Sequence, residues 1–230
     1  MLSAPAIIEL QDQLTEGWHG ADGALGRADL ELWLPALATE KNRKNWARNG
    51  IGLSGEDDDW LAAVGRQHLA NFELWHIEDE ARTPGATDAE IADVKRRVDK
   101  TNQRRNDLAE QLDRMLLGWL GARGLPKAEA ALHSESPGLI VDRLSILALK
   151  IYHTREESER QDAPEGHCER CCERLAILEE QRADLAGCLD ALWAETLAGT
   201  RRFKLYRQLK MYNDPSLNPA VYRKLVKDKV

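Results

Sequence analysis

"TDAEIADVKRRVDKTNQRRNDLAEQLDRMLLGWLG", residues 87–121, decides the fold class, because it predicts one long amphipathic helix. Thr87 and Glu90 have the spacing of a capping box, in which each side chain satisfies a free backbone amide of the first turn. Positions three and four apart then form one inward stripe, made of Ile91, Val94, Val98, Thr101, Arg105, Leu108, Leu112, Met115 and Trp119. We therefore expect a helix over residues 88–121 with a polar interruption near its middle.

Other segments of the chain have the same helical character, and strand signals are almost absent. The spacing of apolar residues predicts three more long helices, near residues 58–82, 137–160 and 167–198. Ser136 followed by Pro137 is typical of a helix start, because serine caps free amides and proline fits the first helical position. No linker divides the chain. We predict an all-α fold in one domain, residues 1–230: a bundle of four long helices with shorter N-terminal helices and a basic C-terminal helical segment, residues 201–230, packed on it.

The charge of the chain is unevenly distributed. The net charge is −7 over 230 residues, but residues 201–230 hold nine Lys and Arg against two Asp, which leaves −14 for residues 1–200. A general nucleic-acid-binding protein would spread its basic residues over one face of the fold, so we expect no nucleic-acid partner. No apolar run reaches the length of a membrane span, and the N-terminus lacks the pattern of a signal peptide. We therefore expect a cytoplasmic protein with reduced cysteines.

Polar residues interrupt the apolar stripes of several predicted helices. The stripe of the helix near 58–82, extended past Trp75, reaches Asp79 and Arg82, with His76 beside it. The later helices carry similar interruptions, at Thr101, Asn102, Arg105 and Asn106, at Asp142, Ser145, Lys150 and His153, and at Arg182. A buried charge needs a partner, because its removal from water costs several kcal/mol. We predict one interior network in which Asp79 and Asp142 face Arg82, Arg105 or Arg182.

This network has two interpretations. It can be a set of salt bridges that fixes the register of the bundle, as polar core residues do in coiled coils. It can also line a cavity that holds a polar ligand, which the number of independent interruptions favours. In that case the candidate acid–base groups are His76, Asp79, Asp142 and His153. The candidate ligand-binding residues in the interior are Arg82, Asn102, Arg105, Asn106 and Lys150.

Three metal sites are incomplete in the sequence, and we assign no metal ligands. Glu73 and His76 have the spacing of one half of a di-iron site, but no second copy follows. The segment "HCERCC", residues 167–172, offers Cys168 and Cys171 at zinc-ligand spacing, with no second pair elsewhere. Glu110 and Asp113 form one half of an acidic magnesium site of the helical nucleotide-pyrophosphatase type. A magnesium cofactor is therefore possible but not indicated by a complete motif.

The basic segment after Gly199 combines cations with aromatic residues. Its residues 201–212 contain no acid. Guanidinium and ammonium groups suit phosphate, with Arg207 as the main candidate, and aromatic faces suit a sugar or base. The candidate ligand-binding residues of this segment are therefore Arg202, Lys204, Tyr206, Arg207 and Lys210. We expect the segment to fold back over the carboxylate-lined interior. The alternative is an amphipathic helix that packs its apolar residues and leaves its cations in solvent.

Four stretches together resemble a bacterial family of uncharacterised helical proteins. They are "NFELWHIEDEAR" (71–82), "VDKTNQRRNDLAEQLD" (98–113), "ESPGLIVDRLSILALKIYH" (135–153) and "RFKLYRQLKMYNDPSLNP" (202–219). Members of this family are often encoded beside glycosyltransferases of lipopolysaccharide or other surface-glycan synthesis. The resemblance implies a context of sugars, sugar phosphates or nucleotide sugars, and it supplies no activity or catalytic residues. "HCERCC" is not part of the family pattern.

Two functional hypotheses follow from the residues and the resemblance. The first is an enzyme or ligand-binding protein that acts on a phosphorylated sugar or nucleotide sugar in surface-glycan biosynthesis, through the interior carboxylates, histidines and arginines. The second is a non-catalytic helical partner that docks on a glycosyltransferase.

Overall fold

The computed structural model describes residues 2–20, 55–211 and 214–219, with the backbone alone for residues 55–58. It confirms the all-α fold. The described helices are α1 (Ala4–Gly20), α2 (Gly55–Glu80), α3 (Asp88–Gly121), α4 (Pro137–Ser158) and α5 (His167–Leu197). Two short parallel strands, β1 (Ala131–Leu132) and β2 (Arg201–Arg202), pair with each other at one end of the bundle. Of the expected shorter N-terminal helices, α1 is present, and any helix within residues 21–54 lies outside the described residues.

The four long helices begin and end within three residues of the predicted bounds, and a local capping box marks the start of α3. At the start of α3, the Thr87 hydroxyl accepts the Glu90 amide at 3.3 Å, and the Glu90 carboxylate accepts the Thr87 amide at 2.7 Å. The start of α4 differs from the prediction. Ser136 makes no side-chain cap, and Asp113 of α3 replaces it by accepting the Gly138 amide at 2.7 Å.

The buried stripe of α3 follows the predicted positions as far as Leu112 and then moves by about one residue. Val94, Thr101 and Leu112 are buried as expected, but the later buried residues are Ala109, Asp113, Leu116 and Leu120 rather than Met115 and Trp119. A straight α-helix drifts by about 20° per heptad relative to a 3.5-residue repeat, and four heptads move the buried face by almost one residue. The predicted Ile91 position is exposed at the other end of the helix.

One core of buried apolar side chains receives residues from all five helices and from Phe203. The core includes Leu14 and Trp18 from α1, Trp60 from α2 and Leu112 from α3. Thus α1 packs into the same core as the four long helices.

The predicted basic helix is wrong for residues 201–210. Gly199 ends the α5 turn with a φ of +75°, and Arg201 and Arg202 pair with Ala131 and Leu132. Phe203 is then 2 % exposed in the core, which anchors the segment where it leaves the strand. Residues 203–210 form no regular structure, and residues 220–230 lie outside the described residues.

Candidate functional site

The interior contains a polar network centred on Asp142 of α4, which is 7 % exposed. Arg105 of α3 donates to both carboxylate oxygens, from Nε at 2.7 Å and from Nη2 at 2.5 Å. Gln67 and Asn71 of α2 donate to Oδ1 at 2.6 Å and 3.0 Å. The two arginine bonds raise the pKa of Arg105 above its ordinary value despite its partial burial. Asp142 therefore has four hydrogen bonds, two of them from a bidentate guanidinium.

The network continues to α1 through His68, which is fully buried. Thr15 donates its hydroxyl to Gln11 O at 2.8 Å and so accepts the Nε2 proton of His68 at 2.9 Å. Nδ1 of His68 then accepts the Ser145 hydroxyl at 2.7 Å, and the Ser145 oxygen accepts Asn71 Nδ2 at 2.9 Å. These roles assign the neutral Nε2–H tautomer to His68. Burial lowers the pKa of His68 to about 3.

The predicted pairing of Asp142 with Arg105 is confirmed, whereas Asp79 and the two other arginines lie outside this interior network. Asp79 is exposed, and Arg82 contacts Glu78, with 67 % of its own side chain exposed. The physical reason is that α2 ends at Glu80, so the helical stripe cannot be extended to Arg82. Arg182 pairs instead with Asp12 of α1, at 2.8 Å.

The other interior candidates have separate positions. Asn102 and Asn106 are half-buried on α3, and the Asn106 Nδ2 atom has no hydrogen-bond partner in the part of the chain that the structure describes. Lys150 is exposed and lines clefts on the α5 side of α4.

A cleft of about 390 Å³ opens beside the Asp142 network. Arg105 belongs to both, so the network forms one wall of the cleft. Helices α2, α3 and α4 and the turn after α2 line it, with Asn71, Leu74, Trp75, Glu78, Asp79, Arg82, Arg105, Ile146 and Leu149. The cleft thus combines an indole face with two guanidinium groups, two carboxylates and one amide. The structure brings four predicted or neighbouring site residues, Trp75, Asp79, Arg82 and Arg105, to one surface.

Three histidines meet on the other side of Trp75. His19 of α1, His76 of α2 and His153 of α4 each offer a side-chain atom within 4.8 Å of the other two. Burial lowers the pKa of both His19 and His76. Charge repulsion lowers each pKa further: from His153 in the case of His19, and from both His19 and His153 in the case of His76. The ring of His153 also stacks on Trp75, with centroids 4.8 Å apart. The two predicted histidines are therefore brought together, with a third that the sequence did not single out.

A second cleft, of about 890 Å³, lies between α4 and α5 and reaches the same Trp75–His153 pair. Arg170 and Arg174 of α5, together with Lys150, give this cleft a basic side. His153 thus faces a solvent-accessible space as well as the other two histidines.

The metal half-sites considered in the sequence have structural partners. Glu73 pairs with Arg104, and Glu110 accepts the Gln208 amide at 3.0 Å. Asp113 caps α4 as described above. In "HCERCC", Cys168 lies near carbonyls at the end of α4, and Cys172 is exposed. His167 and Cys171 approach each other at 3.5 Å, but among the described residues only the three histidines form a converging set of metal-ligand atoms.

The basic C-terminal segment lies away from the 390 Å³ cleft, contrary to the expected closure over it. Arg202 donates from Nε to Ala130 O at 2.8 Å, and Lys204, Tyr206 and Arg207 are exposed. The Gln208 amide bonds to Glu110, which places the segment along α3. Lys210 is half-buried, and the residues that line the cleft all belong to α2, α3, α4 and the turn that follows α2.

Several residues of the network were not predicted. Gln67 lies three positions after Val64, and Asn71 lies four positions after Gln67, so both belong to the buried stripe of α2 and the periodicity used for Asp142 on α4 would have found them. Thr15 and His19 gave no such signal, because nothing in a single sequence shows that α1 packs against α2 and α4.

A comparison with family models finds a match to "Protein of unknown function (DUF4254)" over residues 61–205, more than half of the chain. No curated protein and no solved structure matches the chain. Within the described ranges, no helix has both the length and the apolar character needed to cross a membrane.

Proposed function

Because the chain belongs to the DUF4254 family, which has no assigned function, its activity has to be inferred from its own site, and we propose that it binds a phosphorylated sugar or nucleotide sugar. The observation that supports this proposal is the composition of the 390 Å³ cleft beside Trp75. Phosphate groups favour paired guanidinium groups, and a sugar ring or base favours an aromatic face next to carboxylates and amides.

The Asp142 network supports the cleft by fixing one of its cations. Nε and Nη2 of Arg105 bind Asp142, which leaves Nη1 as the nitrogen that can contact a ligand. A guanidinium held at two nitrogens loses less side-chain entropy when it binds phosphate. We therefore assign Asp142 a positioning role, and Asp79 is the carboxylate at the cleft that can exchange protons with a ligand.

The biological context of this proposal is bacterial surface-glycan biosynthesis in the cytoplasm, where nucleotide sugars are consumed. It rests on the sequence resemblance described above and on the chemistry of the cleft. A magnesium ion that accompanies a nucleotide sugar would bind mainly through the phosphate oxygens of that ligand.

The test is a thermal-shift screen of sugar phosphates and nucleotide sugars, with and without Mg²⁺, on the wild-type protein and on Arg82→Ala. A ligand present at 100 times its Kd stabilises the folded state by about 2.7 kcal/mol, which raises Tm measurably. Among the described residues, the only polar partner of Arg82 is the exposed Glu78, so the removal of Arg82 should leave the Tm of the free protein nearly unchanged. We expect Arg82→Ala to weaken binding at least about tenfold through the lost charge-assisted hydrogen bond.

The matched control is Arg96→Ala on α3, because Arg96 is as exposed as Arg82 and, within the described part of the chain, pairs only with Asp93, at 3.9 Å. This variant should keep the full ligand response. Equal responses of the two variants would place the ligand outside this cleft, and the absence of any response in the wild type would exclude the proposed ligand class. Arg105→Ala is a poorer probe, since it leaves the buried Asp142 without its charge partner.

The non-catalytic alternative also has an observation in its favour. Apolar side chains of the C-terminal segment are exposed, with Leu209 80 % and Met211 62 % accessible. Such residues on one segment are typical of a surface that docks on another protein, here a glycosyltransferase. A purely docking role predicts no ligand response in the same screen.

A further inference from the structure

We propose that His19, His76 and His153 form a binding site for a divalent transition-metal ion, with Zn²⁺ as the expected ion. This site does not depend on the sugar-ligand proposal, because none of its three ligands lines the 390 Å³ cleft. The three side chains come from three helices, α1, α2 and α4, and one donor atom of each lies within 4.8 Å of the other two.

The three rings are inclined to one another rather than stacked in parallel. His153 lies almost perpendicular to both other rings, at 83° in each case, and His19 and His76 are inclined at 60°. Three imidazoles that packed only as flat apolar groups could stack in parallel, as His19 does on Tyr152 at 18°. Among themselves the three rings are not stacked face to face.

The hydrogen bonds of two rings prepare them as ligands. Nδ1 of His19 contacts Thr15 O at 2.8 Å, and Nδ1 of His153 contacts the Glu156 carboxylate at 3.1 Å. Because both oxygens only accept, Nδ1 carries the proton in each ring, and in a neutral ring Nε2 carries the lone pair. This is the arrangement found in metal-ligating histidines, whose second nitrogen donates to a carbonyl or carboxylate.

The Nε2 atoms of His19 and His153 are buried without a polar partner in the described part of the chain. Both are inaccessible to solvent, and neither has a hydrogen-bond partner there. A buried polar atom without a partner costs free energy comparable to a lost hydrogen bond. A bound metal ion is one of the few groups that can remove this cost at a buried imidazole nitrogen. Assigning these two Nε2 atoms as ligand atoms of the site lets one bound cation satisfy both lone pairs.

The chemistry of the donors selects the metal. Imidazole nitrogens suit Zn²⁺ and related transition metals, whereas Mg²⁺ requires oxygen ligands. Zinc bonds to histidine at about 2.0–2.1 Å, so tetrahedral ligand nitrogens lie about 3.3 Å apart. The rings must therefore approach each other by about 1.5 Å or less, which side-chain rotation at half-buried positions supplies. Three protein ligands leave one position of a tetrahedral zinc ion for a water or ligand oxygen.

The experiment is calorimetric titration of the full-length, chelator-treated protein with ZnCl₂, followed by the absorption spectrum of the Co²⁺ complex. We expect one ion per chain and a nitrogen-ligand cobalt spectrum without thiolate-to-metal charge transfer. His76→Asn and His153→Asn should each raise the Kd at least about 100-fold, since losing a ligand costs more than losing its hydrogen-bond partner. Glu156→Gln should weaken binding by about tenfold or more, because it loses the charged partner of Nδ1.

The matched control is the triple variant Cys168→Ser, Cys171→Ser, Cys172→Ser, which removes the other group of potential zinc ligands. This variant should bind zinc with the wild-type Kd. Zinc binding that disappears in the cysteine variant, or that persists in both histidine variants, would overturn the proposal, as would a wild-type protein that binds no zinc. Far-UV circular dichroism verifies the fold of each variant, and if a histidine variant is unfolded, the cobalt spectra of the wild type and the cysteine variant decide the ligand type.

Discussion

His68 shows how a single residue in this bundle can be ionisable and remain neutral. Both of its ring nitrogens are engaged, one by Thr15 and one by Ser145, and these two partners use their remaining capacity within the same network. A proton added at Nδ1 would face the Ser145 hydroxyl and would be surrounded by buried groups, which is why the pKa of His68 falls to about 3.

The depressed pKa of His68 predicts a loss of stability in acid. In the unfolded chain the imidazole binds a proton below about pH 6.5, but in the folded protein only near pH 3. The contribution of neutral His68 to the free energy of unfolding is therefore complete above pH 6.5. It is lost at about 1.4 kcal/mol per pH unit as the pH falls toward 3. We expect urea denaturation between pH 7 and pH 4 to show this dependence in the wild type relative to His68→Gln.

The comparison with the variant is necessary because Asp113 acts with the opposite sign. Burial raises the pKa of Asp113 to about 6, so this carboxyl stabilises the folded state below pH 3.8 and loses that contribution as the pH rises through 6. The difference between wild type and His68→Gln isolates the histidine. Parallel stability curves for the two proteins would contradict the assignment of His68 as a buried neutral base.

At the scale of elements, α3 packs directly against the backbone at the start of α4, and Gly138 makes this close approach possible. A Cβ atom on Gly138 would lie 2.3 Å from Ala109 O and 2.9 Å from the Asp113 carboxylate. The same approach lets Asp113 reach the Gly138 amide and the Ser136 hydroxyl, so one small residue allows a neighbouring helix to cap α4.

Gly138→Ala should therefore destabilise the protein by about 1–3 kcal/mol, because the backbone oxygen that it meets cannot move without shifting α3. Gly118→Ala, in the neighbouring helix α3, is the control. No atom lies within 4 Å of a Cβ built there, and alanine is a better helix former than glycine by about 1 kcal/mol. Urea midpoints should move in opposite directions for the two variants, and a shift in the same direction would argue against close packing at Gly138.

The elements were predictable where local chemistry decides them. The capping box at Thr87 and the apolar periodicity of the long helices are local signals, and both gave the bounds of the helices. The path of the C-terminal segment was not predictable, because it depends on the pairing of Arg201 and Arg202 with a two-residue strand about 70 positions earlier. The Asp142–Arg105 pair could be anticipated from polar interruptions, but its connection to Thr15 depends on which helix fills the remaining side of the bundle.

At the scale of the whole molecule, α1 is the element that joins the candidate sites to the core. It lies before residue 61, where the family match begins, yet it supplies Thr15 to the Asp142 network and His19 to the histidine cluster. Its apolar face is buried against the long helices, and Asp12 pairs with Arg182 of α5. We therefore predict that the chain unfolds as one cooperative unit that includes α1.

Leu14→Ala tests this cooperativity. Leu14 is 0 % exposed, and the cavity left by a buried leucine costs about 2–5 kcal/mol. If α1 is part of the cooperative unit, the urea midpoint should fall equally by circular dichroism, which reports all helices, and by fluorescence, which includes Trp18 of α1 and Trp193 of α5. Leu209→Ala removes the same atoms from an exposed position and should change stability by less than about 0.5 kcal/mol. Two separate transitions in Leu14→Ala, with the later one at the wild-type midpoint, would show instead that α1 detaches from a bundle that is stable without it, and both candidate sites would then be conditional on its docking.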